Sequence, residues 1–383
     1  MNVPKLRFKE FNVEWDYKTF DELINIKSES YNPSMNKENY KCIELEHINQ
    51  NTGTINGYCN SQDQKSNKNI FKKNEVLFGK LRPYLKKYWY ATFDGVCSSE
   101  MWVGKSKNQN IVTNKFIYYL FQSHYFLQLC NLSTGSKMPR ADWSFIKEQS
   151  IAIPNILEQK IISDTLELLD KKIELQSKKI EALKLFKLYT ENNLLNSSSS
   201  VHWKKIKLND ILIEGNKKPV KNTNDFKKIT IKLNLNGLEF NESKREMSDR
   251  RPFYIREENE IIIGKQNYFN GSIAIVTKEF SGCICSNAIM SFKVKEGYNL
   301  KYIYLYLSQR RYMKEREFLA NGTGQKELSE KEFLKFTIKV PEDSVINNIT
   351  SIIDKINKKI SFENNKLNKL IELKKGLMQN MFV

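Results

Sequence analysis

The chain has 383 residues, of which 62 are Lys or Arg and 44 are Asp or Glu, giving a net charge of +18 and a pI near 9.4. Such an excess is typical of proteins that bind polyanions, although a lysine-rich proteome from an AT-rich organism would give a similar composition. No stretch approaches the roughly 20 apolar residues that span a bilayer, and the N-terminus lacks a signal-peptide core, so we expect a cytoplasmic protein.

Residues 1–156 predict a first mixed α+β domain. Apolar runs such as NEVLFGKL, which ends at Leu81, indicate strands, whereas TNKFIYYLFQSHYFLQL from Thr113 has apolar residues at helical spacing. Residues 157–195 predict one long central helix, and the polar run NSSSS at 196–200 predicts a linker.

The second half of the chain repeats the first in the same order. Trp203 lies 188 residues after Trp15, and Lys265 ends the run EIIIGK as Lys80 ends EVLFGK. The repeat predicts two further segments, a second domain at 201–343 and a distal long helix at 344–383. A period of this length indicates a duplicated domain-plus-helix unit with pseudo-two-fold symmetry, which suits duplex DNA as a partner.

Both long helices carry apolar residues at steps of three and four, the spacing of a coiled-coil seam. The seam residues are Ile162, Leu166, Leu169, Ile173, Ile180 and Leu183 in the central helix, and Ile349, Ile353, Ile356, Ile360, Leu367 and Leu370 in the distal helix. Because amphipathic helices of this length need a partner, we expect the two helices to pair, and the symmetry makes the pair antiparallel. Gln176 and Glu363 interrupt the seam at equivalent places, and they either set the register or face solvent.

The predicted fold is therefore of the α+β class, with two similar globular domains separated by an antiparallel two-helix coiled coil. A stiff helix pair with a reader at each end would place the readers about one turn of B-DNA apart, ~34–36 Å. The DNA between the two sites would be spanned without being read.

Loops that combine basic residues with glycine or aromatic residues are the candidates for DNA contact. The first domain supplies Lys80, Arg82, Lys86, Lys87, Gly135, Ser136, Lys137 and Arg140, and the second supplies Lys265, Gln266, Asn267, Gly324, Gln325 and Lys326. Glycine amides can approach a phosphate, lysine and arginine can reach a phosphate or a guanine edge, and glutamine or asparagine can bond adenine. The alternative for each lysine is a solvated surface charge.

No motif in the sequence predicts a catalytic site. An adenine methyltransferase needs an N/D-P-P-Y/F loop and an ATP-driven motor needs the Walker A loop, and neither occurs. The six cysteines form no C-x-x-C pair and the three histidines have no ligand-spaced partners. We therefore expect no catalytic residue, no metal and no cofactor bound by this chain.

The order of these segments resembles the specificity subunit of type I restriction-modification systems over essentially the whole chain. The most specific part runs from Thr134 to Ile161, with TGSK followed by SIAIPNILEQKI. The resemblance implies a non-catalytic subunit whose two globular domains are target-recognition domains, each reading one half of a split double-stranded DNA target. It also implies that the helices set the spacing and dock two methyltransferase subunits, which would bind S-adenosylmethionine, with restriction subunits as optional further partners.

The distal helix departs from this pattern at its start. The central helix has Leu157, Glu158 and Gln159 where the distal helix has Ser344, Val345 and Ile346. We therefore expect the distal contact to a methyltransferase to be weaker or arranged differently. Two other functions stay open, namely a nucleic-acid-binding scaffold without methyltransferase partners and an enzyme with an unrecognised site.

The basic loops give a first test. Lys137→Ala and Lys326→Ala are expected to weaken DNA binding and to lower the salt slope of log K by about one for each lost phosphate contact. Titrations of duplex DNA at several salt concentrations measure this slope. An unchanged slope in both variants would exclude phosphate contact at these lysines.

Overall fold

The computed structural model describes residues 3–132, 138–196, 203–241, 251–319 and 327–382. Two long helices cover Ile156–Leu195 and Asp343–Asn380, as the absence of proline and the abundance of Lys, Glu and Leu in these stretches favour. The chain divides into two compact units within these helices: unit 1 comprises residues 1–178 and 364–383, and unit 2 comprises residues 179–363.

Unit 1 contains a four-stranded antiparallel sheet, a five-stranded mixed sheet and a two-stranded ribbon. The four-stranded sheet has the order Ile24–Asn25, Met101–Ser106, Val76–Gly79, Tyr88–Tyr90, and the five-stranded sheet has the order Ser30–Tyr31, Lys68–Phe71, Gly95–Ser98, Lys41–Ile43, Cys59–Asn60. The ribbon pairs Asp16–Thr19 with Ser150–Ile153, just before the central helix. The short helices are Phe20–Leu23, Asn114–Leu120, His124–Leu132 and Trp143–Ile146, with 3₁₀ turns at Leu45–His47, Ser61–Asp63 and Pro83–Leu85.

Unit 2 repeats the four-stranded sheet and the two-stranded ribbon of unit 1. Its four-stranded sheet has the order Leu212–Glu214, Ile289–Val294, Ile261–Gly264, Ile273–Ile275, and its two-stranded pairs are Lys204–Lys207 with Thr337–Val340, Phe253–Ile255 with Ile284–Ser286, and Ile229–Ile231 with Leu238–Phe240. The short helices are Leu208–Ile211, Leu300–Leu307, Arg310–Lys314 and Glu330–Leu334, with 3₁₀ turns at Thr223–Asp225, Tyr268–Asn270, Lys278–Phe280 and Glu317–Leu319.

One element differs from the sequence prediction. The apolar stretch from Thr113 forms two helices, because the chain turns at residues 121–123, where the Ser123 hydroxyl accepts from the amide of Phe126 and caps the second helix. Cys283 and Cys285 are both buried, and the neighbouring strands Ile284–Ser286 and Ile289–Val294 belong to different sheets.

In unit 1 the first part of the central helix runs antiparallel to the last part of the distal helix. Ile162, near the start of the central helix, shares a hydrophobic core with Met381, which follows the end of the distal helix. Asp170, two turns further along the central helix, pairs with Lys374, which lies earlier in the distal helix, at 2.6 Å. The order of these contacts fixes the direction of the two segments.

Unit 2 contains the complementary segments of the same helices in the same arrangement. Leu195, at the end of the central helix, shares a core with Ile346, at the start of the distal helix. Lys179, earlier in the central helix, pairs with Glu363, later in the distal helix, at 2.8 Å. The predicted antiparallel pairing is therefore present within each unit.

The predicted seam coincides with the buried side of both helices. Six of its residues are buried (Ile162, Leu166, Leu169, Ile180, Ile349 and Ile353) and six are half-buried (Ile173, Leu183, Ile356, Ile360, Leu367 and Leu370). Gln176 and Glu363 are only 7% and 1% exposed, so neither faces solvent. Their role in setting the register stays a prediction.

A repeated lysine connects each domain to a long helix. Lys115 Nζ donates to Asp164 at 3.1 Å and to Glu167 at 2.8 Å, both on the central helix. Its counterpart Lys301 pairs with Asp354 on the distal helix. The recurrence of KFIYYL as KYIYLY thus has a structural reason, because the lysine of each run holds a domain helix against a long helix.

Glu158 and Gln159 are turned into unit 1. Both oxygens of the fully buried Glu158 accept from Arg7 of the N-terminal segment at 2.8 Å. The Gln159 amide accepts from Thr113 N at 3.1 Å and donates to Ile111 O at 2.8 Å. Because this pair packs the domain against the helix, its burial gives no support to a direct methyltransferase contact. In unit 2 the counterpart of Gln159 is Ile346, which packs in an apolar core.

Removing Arg7 tests this buried ion pair. Arg7→Ala leaves the Glu158 carboxylate buried without its cation, so we expect a loss of about 3 kcal/mol in the free energy of unfolding of unit 1. Urea denaturation followed by the fluorescence of unit 1 tryptophans measures it. Lys5→Ala, at an exposed position in the same segment, is the matched control, and equal stability of the two variants would contradict the assignment.

Candidate nucleic-acid interface

Two basic segments of unit 1 that are distant in sequence form one surface. Ala141 N donates to Lys80 O at 2.9 Å, and Arg82 N donates to Pro139 O at 2.8 Å. Leu81 and Arg140 form an antiparallel bridge between these two bonds. The structure therefore brings the segment after strand Val76–Gly79 together with the segment that contains Arg140.

A tight turn exposes side chains at this surface. Arg82 and Lys86 have φ values of 52° and 51°, the left-handed region, and they flank the 3₁₀ turn Pro83–Leu85. Both side chains are exposed, as is the ring of Tyr84 between them. Non-glycine residues adopt this conformation at an energetic cost. Backbone hydrogen bonds from Arg82 N to Pro139 O and from Lys86 N to Pro83 O stabilise it here.

Lys87, the next residue, points into the domain. Its Nζ donates to the backbone carbonyl of Leu45, and the residue is half-buried. The positive charge of Lys87 is thus engaged within unit 1, in contrast to the exposed side chains of Arg82 and Lys86.

Arg140 forms a two-pronged ion pair with Glu100. Arg140 Nε and NH2 donate to the two Glu100 oxygens at 3.0 Å each. The hydrogen bonds from Arg140 hold the pKa of the Glu100 carboxyl below its usual value, so Glu100 is ionised near neutral pH. The pair stabilises the fold above the usual carboxylate pKa, and this contribution is lost as the pH falls through the lowered pKa. Any phosphate that bound Arg140 would have to compete with Glu100.

Unit 2 repeats the backbone arrangement with different side chains. Leu328 N donates to Lys265 O at 2.9 Å, as Ala141 N does to Lys80 O. Gln266 is exposed, whereas the half-buried Asn267 accepts from the Asn270 side chain at 3.2 Å. Of the two amides predicted to read adenine, Gln266 is therefore the more accessible.

Six of the predicted contact residues lie outside the described residues: Gly135, Ser136, Lys137, Gly324, Gln325 and Lys326. Ala141 and Leu328 follow these segments in the sequence. Their backbone amides donate to the equivalent carbonyls of Lys80 and Lys265.

Sequence reasoning missed the carboxylates at both surfaces. Glu100 pairs with Arg140, and Glu330 lies 3.6 Å from Lys265 Nζ. Counting positive charge along the chain does not find these partners, because they lie far away in sequence. The glutamate of the run CSSE is the one local signal for Glu100.

Over the part of the chain that the structure describes, no group of three or more His, Cys, Asp or Glu side chains is arranged to hold a metal ion. In the same residues, no helix is long and apolar enough to cross a membrane.

The family model for the type I restriction modification DNA specificity domain matches residues 12–185 and residues 200–373. The chain belongs to this family. The two matches correspond to the two halves of the sequence repeat, and they confirm two domains of mixed helix and sheet content with a 40-residue helix between them. Members of this family are specificity subunits, which are non-catalytic.

Individual relatives agree with the family match. The EcoDI type I restriction enzyme specificity subunit of Escherichia coli is 27% identical over 147 residues, a region that spans 38% of this chain and 32% of that protein. The S subunit of a type I system from M. genitalium has a TM-score of 0.58 at 18% identity, covering 100% of this chain and 99% of that one. A chain from a study of complex assembly and conformational transition in a type I R-M system has a TM-score of 0.59 at 14% identity, covering 95% and 96%. At these identities the two structures support the fold alone.

Neutralising Glu100 tests the interface in unit 1. Glu100→Gln removes the carboxylate that competes for Arg140, so we expect roughly two- to fivefold tighter binding of duplex DNA at low salt and a steeper salt dependence. Fluorescence anisotropy over a series of salt concentrations measures both. Glu10→Gln makes the same change in net charge in the exposed N-terminal segment. An equal effect in the two variants would show that only net charge matters.

Proposed function

We propose that this chain directs a type I restriction-modification complex to a split DNA sequence, with each globular domain reading one half of the target. The observation that carries the proposal is the pair of equivalent surfaces, in which a basic strand end (Lys80, Lys265) is hydrogen-bonded to a segment far along the chain. Because the backbone arrangement is repeated and the side chains differ, the two halves suit different base sequences. In this proposal the paired helices set the distance between the half-sites.

We further propose that the long helices dock two methyltransferase subunits, which bind S-adenosylmethionine and carry out the chemistry. Support comes from apolar side chains of the central helix that lie outside the seam: Leu157, Ile161, Leu168 and Leu175 are 70%, 40%, 56% and 66% exposed. Spaced at steps of four and seven, they share one face of the helix. An exposed apolar stripe of this kind is typical of a protein-protein interface.

The equivalent positions in the distal helix are mostly polar. They are Ser344, Asn348, Lys355 and Phe362, each 187 residues later. The expected difference between the two docking sites thus has a basis in exposed residues rather than in the buried Glu158 and Gln159. Restriction subunits are further partners that this proposal allows, and the cytoplasm is the compartment that it requires.

Co-purification and methylation mapping test the proposal together. We expect two methyltransferase subunits for each copy of this chain, and we expect sequencing of methylated bases in the host genome to give a split motif with a non-specific gap. A chain that binds DNA but recruits no methyltransferase would favour the scaffold function. Methylation or cleavage by the chain alone would contradict a non-catalytic subunit.

A single substitution tests whether the exposed apolar stripe of the central helix binds a methyltransferase subunit. Leu168→Lys places at the central helix the residue type that Lys355 supplies at the distal helix, and we expect at least a tenfold loss of affinity for one methyltransferase subunit. Glu174→Ala, at an exposed position of the same helix about 120° around the axis from the stripe, is the control. Two subunits bound with unchanged affinity would exclude the stripe as a docking surface.

A further inference from the structure

Unit 2 contains a cavity of about 200 Å³ next to the strand end at Lys265. The side chains that matter for its chemistry are Lys217, Tyr254, Arg256, Lys265, Ser291 and Glu330. This volume holds several water molecules and is sufficient for the edge of one nucleobase.

Unit 1 has apolar side chains at the positions equivalent to three polar residues that line this cavity. Val103 and Ser291 occupy the same register of the central sheet strand in the two units, pairing with Leu77 and Ile262 respectively. Val103 is fully buried in a hydrophobic cluster of unit 1. The first domain therefore has a buried valine at the position where the second domain has a serine that lines the cavity.

At two further positions an aromatic residue of unit 1 is replaced by a charged residue in unit 2. Phe71, fully buried in unit 1, corresponds to Arg256 in unit 2, and Trp143 corresponds to Glu330, as the offsets of the flanking elements show. Arg256 is itself buried and donates to Cys285 Sγ at 3.0 Å and to Asn216 O at 3.1 Å. Burying charged groups is costly, so three polar replacements around one cavity point to a use for it.

Glu260 beneath the cavity has spare hydrogen-bonding capacity. It is fully buried, its Oε2 accepts from Ser291 Oγ at 2.8 Å, and its Oε1 has no hydrogen-bond partner among the described residues. The equivalent glutamate of unit 1, Glu75, accepts from Lys72 N at 2.8 Å and lies 3.5 Å from Lys105 Nζ. The counterpart of Lys105 is Lys293, which pairs with Glu257 instead.

The bond to Glu260 fixes what Ser291 can do for a ligand. A hydroxyl has one proton, and that of Ser291 is donated to the carboxylate, so its remaining lone pairs can only accept. A Cβ at Gly215 would lie 2.5 Å from Ser291 Oγ and 3.3 Å from Glu260 Oε1, so only glycine leaves this floor of the cavity open. The floor therefore suits a ligand that donates a hydrogen bond.

Among the residues that the structure describes, the charges around the cavity balance, which disfavours a phosphate as the ligand. The cations are Lys217, Arg256 and Lys265, and the nearby carboxylates are Glu214, Glu260 and Glu330. Lys217 Nζ already lies 2.7 Å from Glu214 and 2.6 Å from Glu330. A neutral ligand with both donors and acceptors needs no ion pair to break, and the edge of a nucleobase is such a ligand.

We propose that this cavity is a specificity-determining site of the second domain, which takes the major-groove edge of one base that carries an amino group, adenine or cytosine. Ser291 accepts from the amino group, and the lysine and asparagine side chains at Lys265 and Asn287 supply donors for the acceptor atoms of the same base pair. The inference rests on the proposed reading of a split DNA target. The first domain, with Val103 in place of Ser291, reads its half without such a site.

The test replaces Ser291 by the residue that unit 1 uses. Ser291→Val is expected to reduce discrimination at one base pair of the second half-site by about tenfold and to leave the first half-site unchanged. The assembled complex is titrated with duplexes that carry every single-base substitution of the target. Ser281→Ala, which removes an exposed hydroxyl away from the cavity in the same domain, is the control.

Ser291→Val also leaves Glu260 Oε2 without its hydrogen-bond donor, which could destabilise the domain. A second variant therefore distinguishes loss of the base contact from misfolding. Asn287→Ala changes an exposed lining residue and is expected to reduce discrimination at the same base pair. If the wild-type complex reads a split target and both variants keep full discrimination at every position, the inference fails while the proposed function stands. If the wild-type complex reads no split target, the proposed function itself fails.

Discussion

Each globular domain of this protein is completed by a helix end from the other half of the sequence. The core of unit 1 includes Met378, Met381 and Phe382, and the Phe382 ring stacks on Phe116 with centroids 5.5 Å apart. The core of unit 2 includes Leu195. Each such buried side chain contributes about 1.5–3 kcal/mol, so truncating either helix would destabilise a domain as well as a helix pair.

This arrangement explains why the long helices contain no proline and almost no glycine. A helix that must pack against a domain at both ends and against a partner helix cannot contain a proline or an early glycine, and the first glycine of either helix is Gly376. The buried Glu363 is compatible with the seam because Lys179 and Lys359 lie 2.8 and 2.9 Å from its carboxylate. Without those cations, its burial would be strongly destabilising.

The repeat, the helices and the seam could be predicted from sequence because they depend on local periodicity. The site could be predicted only as a set of basic segments, since the engagement of each side chain depends on residues that are distant in sequence. Lys87 binds the carbonyl of Leu45, and Arg140 binds Glu100, and neither partner follows from the spacing of charges. The buried ion pair between Arg7 and Glu158 could not be predicted from the sequence either, because the two residues lie 151 positions apart.

The two halves share the contacts that hold each domain to a long helix, but they differ at the position of the cavity. Lys115 and Lys301 perform the same task, since each holds a domain helix to a long helix. Val103 and Ser291 share a register and yet give one unit an apolar core and the other a polar cavity. Two identical readers related by a two-fold axis would recognise a palindrome, so an asymmetric target requires side chains to diverge on an unchanged backbone. The divergence falls around the cavity beside Lys265, while the lysine anchors and the helix seam are kept. Under the proposed function, divergence of this kind changes one half of the target without altering the helix pairing that both domains need.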